Sequence, residues 1–438
     1  MKSLRLALGL FWGYIKTNRK SFLIGILASF LVIFYLPTIW PYLWYKSPQT
    51  IGLVGNYTLS TVPGEIQDQL SLGLVKLQND GLATAAAATH WTTADSGKTF
   101  VFSLKPDLFW SDKEKFTSDQ INYNLKGVII TKPNLETIRF SLSEPFAPLL
   151  PMLSQPLFKN GLVGLKNTLV TDIKFNGRFL SVIRLTNQQT KEAIVYKFYS
   201  SQEELLTALK LGAVSSAKNL HETALKNLPK NFKAQGEIDG RTQVMVFFNT
   251  QKNLLDEKTF RQGLIYALPN DFGQGENADS PMPKNSWVGN LLVKKYEQNL
   301  DLAKSNLVKS ASGSAIPKIV LTTNRELEEV AKLIKGAWEK AGIETLVEVA
   351  DTRPMNYDAY LAYVALPADP DQYVLWHSTQ TGNISGYKSF KIDKLLEEGR
   401  QEIDQSKRKN IYQNFQKAIT EDVPAAFLFY PKVYTIER

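Results

Sequence analysis

The chain has 438 residues, of which 44% are hydrophobic and 21% charged, a composition typical of folded proteins with two or three domains. Its net charge is +9, but six of these charges precede the first acidic residue, Glu65, so the rest carries only +3. A nucleic-acid partner is therefore not expected. The absence of cysteine excludes disulfides, thiolate metal sites, a cysteine nucleophile and a lipidated amino-terminal cysteine.

The amino-terminal region predicts a membrane anchor. Residues 21–45 contain no charged side chain, and about 25 helical residues span roughly 37 Å, more than the roughly 30 Å of a bilayer core. Aromatic residues typical of a membrane interface crowd its far end, at Trp40, Tyr42, Trp44 and Tyr45. Five basic residues precede the span and only Lys46 follows closely. This bias predicts a cytoplasmic basic segment at 1–20 and a binding domain outside the cytoplasm.

A cleaved signal peptide is the alternative interpretation of this segment. The apolar run exceeds the roughly 7 to 15 residues of a signal-peptide core, and no small-x-small cleavage site follows it. We therefore expect a single-pass protein of the cell membrane that keeps its anchor.

The first half of the outer region predicts strands with one early helix. IGLV (51–54) reads as a strand and 65–75 as a helix with one apolar face. TFVFSL (99–104) and TIRFSL (137–142) alternate apolar and polar residues, as half-buried strands do. VMVFFNT (244–250) is continuously apolar, which indicates a strand covered on both faces.

The second half alternates strands and helices. KIVLTT (318–323) is a predicted strand, 326–341 an amphipathic helix that Gly342 ends, and ETLVEV (344–349) and YDAYLAYVA (357–365) are further strands. This order predicts a βαβ unit and a parallel sheet. Two helices, at about 392–403 and 406–420, then lead to the strand AAFLFY (425–430).

Several segments, in order, resemble the family 5 extracellular solute-binding proteins of bacterial ABC transporters. The first is NDGLATAAAATHWTTADSGKTFVFSLKPDLFWSDKEKFTSDQI (79–121), and the later ones are VFFNT (246–250), TFRQGLIYAL (259–268), SPMPKNSW (280–287), ADPDQY (368–373) and 393–430. Departures from the family pattern are Thr84, where proline is usual, and Lys113, where a turn glycine is usual. The resemblance covers nearly all of residues 50–438.

The resemblance implies a bilobal α/β fold of the type II periplasmic-binding class with mixed sheets, after one transmembrane helix. The implied ranges are lobe I at 46–250 with a reduced accessory subdomain, lobe II at 251–424 and a return strand at 425–438. The solute would lie between the lobes and be enclosed by hinge closure. The ligand-binding residues implied are Tyr57, Thr58, Leu59, Trp287, Ala362, Tyr363, Val364, Leu366, Asp369 and Trp376.

One departure bears on the ligand. Aligning Asp369-Pro370 with the family's Asp-Pro pair puts Leu366 where peptide-binding members carry an aspartate that pairs with the ligand's ammonium group. An unpaired buried ammonium costs several kcal/mol. A free peptide amino terminus is therefore not the expected ligand group, unless Asp369 reaches the same place.

Other chemistry lacks support in the sequence. His90, His221 and His377 are widely separated, and we interpret them as structural or solvated residues, not metal ligands. Asp369 and Asp371 lack the spacing of a calcium loop, and no nucleophile elbow or P-loop occurs. We expect no cofactor and no catalytic residue.

The sequence thus predicts a monomeric solute-binding component of an ABC importer that binds a peptide or other small solute and docks on permease subunits. The alternative is a membrane-anchored sensory or scaffold protein that keeps the binding-protein fold. The cytoplasmic segment of about 20 residues leaves little room for an output domain, which argues against sensing.

Overall fold

The computed structural model describes residues 48–226, 228–289, 293–313, 315–350, 352–353 and 356–438, with a few single residues before residue 48. The predicted cytoplasmic segment and anchor therefore lie almost entirely outside the described residues, and both stay predictions. In the part of the chain that is described, no helix is both long and apolar enough to cross a bilayer. Residues 49–438 form the unit whose architecture follows.

The strands of this unit, in chain order, are β1 (Gln49–Val54), β2 (Val75–Leu77), β3 (Ala83–Ala85), β4 (Ala88–Ala94), β5 (Thr99–Leu104), β6 (Val128–Asn134), β7 (Thr137–Leu142), β8 (Thr168–Asn176), β9 (Phe179–Asn187), β10 (Ala193–Tyr199), β11 (Ser216–Leu220), β12 (Lys233–Ile238), β13 (Thr242–Phe248), β14 (Gly275–Asn277), β15 (Ile319–Thr323), β16 (Thr345–Val349), β17 (Ala359–Ala365) and β18 (Ala425–Glu437). The α-helices are α1 (Gly64–Leu70), α2 (Leu149–Met152), α3 (Gln202–Lys210), α4 (Lys258–Tyr266), α5 (Leu300–Ala311), α6 (Glu328–Lys340), α7 (Tyr373–Trp376), α8 (Phe390–Gln401) and α9 (Gln405–Asp422).

One long mixed sheet connects two lobes, in the order β16-β15-β17-β13-β18-β11-β1-β10-β9-β8. Strand β18 belongs to both lobes, because its first half pairs with β13 and its second half with β11 and β12. We call the part with β1 and β8 to β12 lobe I, and the part with β13 to β17 lobe II. The predicted bilobal α/β fold with mixed sheets is confirmed.

Strand β13 shows why its sequence is continuously apolar. Val244, Val246 and Phe248 enter the core under α4, α5 and α6, whereas Met245 and Phe247 enter the core under α8 and α9. Side chains of a strand alternate between the two faces of the sheet, so a strand covered on both faces needs apolar residues at every position.

The βαβ prediction is also confirmed. Strand β15 pairs in parallel with β16 and with β17, and α6 buries the predicted stripe, including Ile334 and Trp338, against this sheet. Gly342 follows the helix with a φ of +94°, a conformation that glycine adopts without steric cost.

A helix and a strand end at other residues than the sequence predicts. The helix predicted at 65–75 ends at Leu70, because the buried hydroxyl of Ser71 bonds to the carbonyl of Leu157 and holds the following residues in extended form. The strand predicted at 425–430 continues to Glu437. Pro431 lacks an amide N–H but does not break the strand, because its carbonyl accepts from the amide of Asp239 at 2.9 Å and the next amide, of Lys432, donates to the carbonyl of Gln274 at 2.9 Å.

The predicted domain ranges stay predictions. Strand β13 already pairs with β17 of lobe II along its whole length. This pairing favours a crossing between the lobes at 239–241 instead of near 249–250. The second crossing is β18 itself, whose 13 residues extend over roughly 40 Å.

The accessory subdomain is a four-stranded sheet in the order β4-β5-β7-β6. Its core includes Phe100, Phe102 and Phe140. The subdomain also touches lobe II: the amide of Trp287 donates to the carbonyl of Asp80 at 3.0 Å, and the amide of Ala147 donates to the carbonyl of Arg400 at 2.7 Å. These two contacts place the accessory subdomain against lobe II.

Candidate functional site

The strand directions place a cleft between the lobes. In lobe I, β1 is parallel to β10 and β11; in lobe II, β15 is parallel to β16 and β17. Strand β18 is antiparallel to β11 and to β13, and β13 is antiparallel to β17. The parallel strands of the two lobes therefore run in opposite directions, and their carboxyl ends face each other. Open α/β sheets bind ligands outside such carboxyl ends.

A contact between named side chains confirms that the two edges meet. His221 follows β11, and its ring stacks on Tyr363 of β17 with centroids 4.6 Å apart and planes at 12°. Its Nε2 lies 3.5 Å from Oε2 of Glu326, which follows β15. Burial lowers the pKa of His221, although the carboxylates of Glu326 and Asp239 oppose that shift.

The predicted site residues of lobe I form the rim of this cleft after β1. The ring of Tyr57 meets Phe198 edge-on at 5.3 Å, and its hydroxyl donates to the carbonyl of Val54 at 3.0 Å. Burial, and secondarily Glu65, raises the pKa of Tyr57. The amide of Thr58 donates to Oγ1 of Thr61 at 2.8 Å. Leu59 remains 48% exposed, so an apolar side chain on the rim is open to a ligand.

The predicted site residues on β17 lie mostly in the wall of lobe II. Ala362, Val364 and Leu366 are buried, and Leu366 is only 5% exposed in a cluster with Met245 and Phe247. The amide of Leu366 donates to the carbonyl of Arg241, in the connection between the lobes, at 2.7 Å. Leu366 therefore lies beside the connection between the lobes, and its side chain is apolar and uncharged.

Trp287 and Asp369 line a separate cavity of about 300 Å³ between the accessory sheet and lobe II. Trp91 and Phe100 form its opposite wall. Arg408 donates to both carboxylate oxygens of Asp369, at 2.7 and 2.5 Å, and its guanidinium lies 5.9 Å from the ring centre of Trp287. Burial opposes the charge of Arg408, but the hydrogen bonds to Asp369 outweigh it and raise its pKa. The carboxylate of Asp369 is therefore already engaged within the protein.

Residues 187–386 match the sequence model of the bacterial extracellular solute-binding proteins, family 5, middle region. The chain is 27% identical to the oligopeptide-binding protein AppA of Bacillus subtilis over 55% of its own length and 51% of that protein. It is 21% identical to the probable D,D-dipeptide-binding periplasmic protein DdpA of Escherichia coli, over 78% of each chain. The alignment with the Bacillus protein thus spans about half of that relative.

Solved structures share the fold. NikZ of Campylobacter jejuni, in complex with Ni(L-His), superposes with a TM-score of 0.74 at 17% identity, over 89% of this chain and 94% of NikZ. AppA of Bacillus subtilis, in complex with a nonapeptide, gives 0.69 at 19% identity, over 89% and 95% of the two chains. The chain resembles the family 5 solute-binding proteins in the sequence of residues 187–386 and in its fold. The resemblance seen in its motifs is confirmed.

Trp376 lies deeper in the protein than a cleft residue would. It is 2% exposed, and its ring packs between Phe247, at 5.7 Å, and Phe427, at 5.9 Å. Among the described residues its indole N–H has no hydrogen-bond partner. The predicted site residues thus fall into three places: the rim after β1, the wall and interior of lobe II, and the cavity by Arg408. Ligand contact by each of them stays a prediction.

Sequence reasoning interpreted His221 as a structural or solvated residue, and it did not propose Glu326, Arg408 or Trp91 as site residues. His221 and Glu326 each stand directly after or near the end of a strand, and that position was the available signal. Arg408 had no such signal, because its partner Asp369 is 39 residues away and in another element. A larger cavity of about 660 Å³ in lobe II, walled by Phe272, Tyr296 and Phe427, contains none of the predicted site residues.

Proposed function

We propose that this chain is the solute-binding component of an ABC importer and encloses a peptide or peptide-like solute between its lobes. The observation that carries the proposal is the meeting of the carboxyl ends of parallel strands from two lobes. The lobes are joined by the connection at 239–241 and by β18. Two such crossings allow rigid lobes to rock around a ligand.

The names of the relatives support a peptide as the class of solute. They include oligopeptide-binding and dipeptide-binding proteins, and a relative of known structure holds a nonapeptide. A binding protein contributes no chemistry of its own, so we propose no enzymatic activity. The permease and the ATPase of the importer would be separate chains, and the binding protein would be a monomer.

The environment of Leu366 narrows the proposed solute. Leu366 is buried and uncharged, and Asp369 is paired with Arg408. Neither residue offers a free carboxylate to a ligand ammonium group. A solute whose amino terminus is blocked, or that carries no ammonium group, therefore fits this wall better than a free peptide does.

We also propose that residues 21–45 anchor the chain in the cell membrane, with 1–20 in the cytoplasm and the binding unit outside. The uncharged length of that segment and the charge difference across it support this orientation. An anchored binding protein stays near its permease, which raises the effective concentration of the pair.

Native mass spectrometry of the full chain, purified in detergent, tests the proposed function. We expect a co-purified solute of peptide mass. Leu59→Arg, on the exposed rim, should reduce its occupancy. Leu211→Arg is the matched control, because Leu211 is 79% exposed and lies after α3, at the end of lobe I away from the rim. Equal solute in both variants, or no solute in any preparation and no binding of added peptides, would contradict the proposal.

A further inference from the structure

His221 belongs to lobe I, but its side chain is directed at lobe II. One face of its ring covers Tyr363, and its Nε2 is directed at the carboxylate of Glu326. Only about a quarter of the side chain remains exposed, at 23%. The contact crosses the gap at the carboxyl ends of the strands, where a solute would enter.

The residues on both sides of this contact are held in place by hydrogen bonds within their own lobe. In lobe I, the amide of His221 donates to Oε1 of Gln202 at 2.9 Å, and Nε2 of Gln202 donates to Thr223 at 2.9 Å. In lobe II, Tyr363 lies within the ladder between β13 and β17. Glu326 lies in a 3-10 turn that Asn324 caps, since Oδ1 of Asn324 accepts the amide of Leu327 at 3.0 Å. The backbone on each side therefore moves with its own lobe when the lobes separate.

We propose that His221, Tyr363 and Glu326 form a latch that holds the two lobes closed. His221 is a positioning residue in this scheme: it determines how long the closed state lasts and so how strongly a solute is retained. The latch itself needs no solute, and only its link to solute retention rests on the proposed function.

The geometry explains why the latch acts on the equilibrium between open and closed lobes. Separating the lobes at this edge would break the stacking, so the stacking stabilises the closed state. Stacked aromatic pairs shift an equilibrium about two- to tenfold. The effect is large enough to change the closed population and small enough to be reversed by opening.

The absence of cysteine makes the test direct. Gln189→Cys in lobe I and Ser305→Cys in lobe II are both exposed positions away from the cleft, and nitroxide labels there report the distance between the lobes. Pulsed electron spin resonance on the full chain in detergent, without any added peptide, should give mainly the shorter distance. His221→Ala should increase the longer-distance population about two- to tenfold.

Three further variants make the result specific. His221→Phe keeps a ring that can stack and should restore most of the short distance. Tyr363→Leu removes the ring from the lobe II side and should open the lobes as His221→Ala does. His90→Ala is the matched control, because His90 is exposed on β4 and far from these partners in the fold. Its distance distribution should equal that of the unmodified chain.

Unchanged distances in His221→Ala and Tyr363→Leu, with folding checked by circular dichroism, would overturn the latch. If His221→Ala does not fold, Tyr363→Leu alone decides. Titration with trialanine separates the two proposals. Distances that depend on His221 but do not respond to trialanine or its acetylated form support the latch and count against peptide binding. Closure by peptide, together with peptide-free distances that are equal with and without His221, supports binding and overturns the latch.

Discussion

Arg408 binds both carboxylate oxygens of Asp369 inside lobe II, and both side chains are more than nine-tenths buried. The pair joins α9 to the loop after β17, beside the cavity under the accessory sheet. Its position explains why Asp369, which the sequence predicts as a ligand-binding carboxylate, forms an ion pair with a cation of the protein instead.

Breaking this pair should destabilise the protein strongly. Arg408→Met leaves the carboxylate of Asp369 buried with the amide of Asp371 as a donor but with no cation, which costs about 3–5 kcal/mol in free energy of unfolding. Replacing both residues, as Arg408→Met with Asp369→Leu, should cost less than Arg408→Met alone. Urea unfolding measures each value. Lys332→Met, which removes exposed pairs with Glu328 and Glu329, is the control and should leave the midpoint unchanged. An Arg408→Met variant that is as stable as the parent chain would disprove the stabilising role of this pair.

Leu366 should determine how the protein treats a peptide amino terminus. We expect the unmodified chain to bind acetylated trialanine at least as well as trialanine, and Leu366→Asp to prefer the free form. A desolvated ammonium–carboxylate pair contributes roughly 2–5 kcal/mol, or about 30- to several-thousand-fold in affinity. Isothermal titration calorimetry with both peptides gives the ratio.

The same substitution has a second expected consequence. Leu366 is buried, so an aspartate there is an unpaired buried charge until a peptide arrives, and the free Leu366→Asp chain should unfold at lower urea concentration. Val374→Asp adds the same charge at a position that is 56% exposed and should alter neither peptide preference nor stability. A strong preference of the unmodified chain for free trialanine would show that another carboxylate replaces the missing one.

Closure of the lobes should weaken in mildly acidic solution. Burial lowers the pKa of His221 in the closed protein, whereas exposure in the open protein returns it to about 6.5. Protons therefore bind the open form preferentially. The closed population is greatest above about pH 6.5 and falls as the pH drops below it. Glu326 and Asp239 face the ring and oppose this shift, so Glu326→Gln should strengthen the pH dependence. The lobe distances of His221→Phe should not respond in this range; an identical response would assign the effect to another group.

The anchor prediction can be checked by cell fractionation. The full chain should remain in the membrane fraction after a high-salt wash, because hydrophobic insertion does not depend on ionic strength. Its mass should include residues 1–45. A released form that begins near residue 46 would instead identify the segment as a signal peptide.

The sequence by itself determined the local architecture. The alternation in TFVFSL predicted β5, the continuous apolar run predicted that β13 is covered on both faces, and the apolar stripe predicted α6 between two parallel strands. These features depend on side-chain periodicity within one element, which neighbouring residues along the chain fix. The motifs also predicted the family and the two-lobed fold, since they span both lobes in order.

Only the tertiary structure decided which side chains meet. Asp369 is paired with Arg408 across 39 residues, Trp376 is enclosed by Phe247 and Phe427, and His221 lies on Tyr363 of the other lobe. No local pattern encodes such pairs, because each depends on the order of strands in the sheet and on the shared strand β18. The sequence does not distinguish a carboxylate or an aromatic ring that contacts a solute from one that contacts another part of the protein. The burial and the partner of such a side chain are determined only when distant elements pack together.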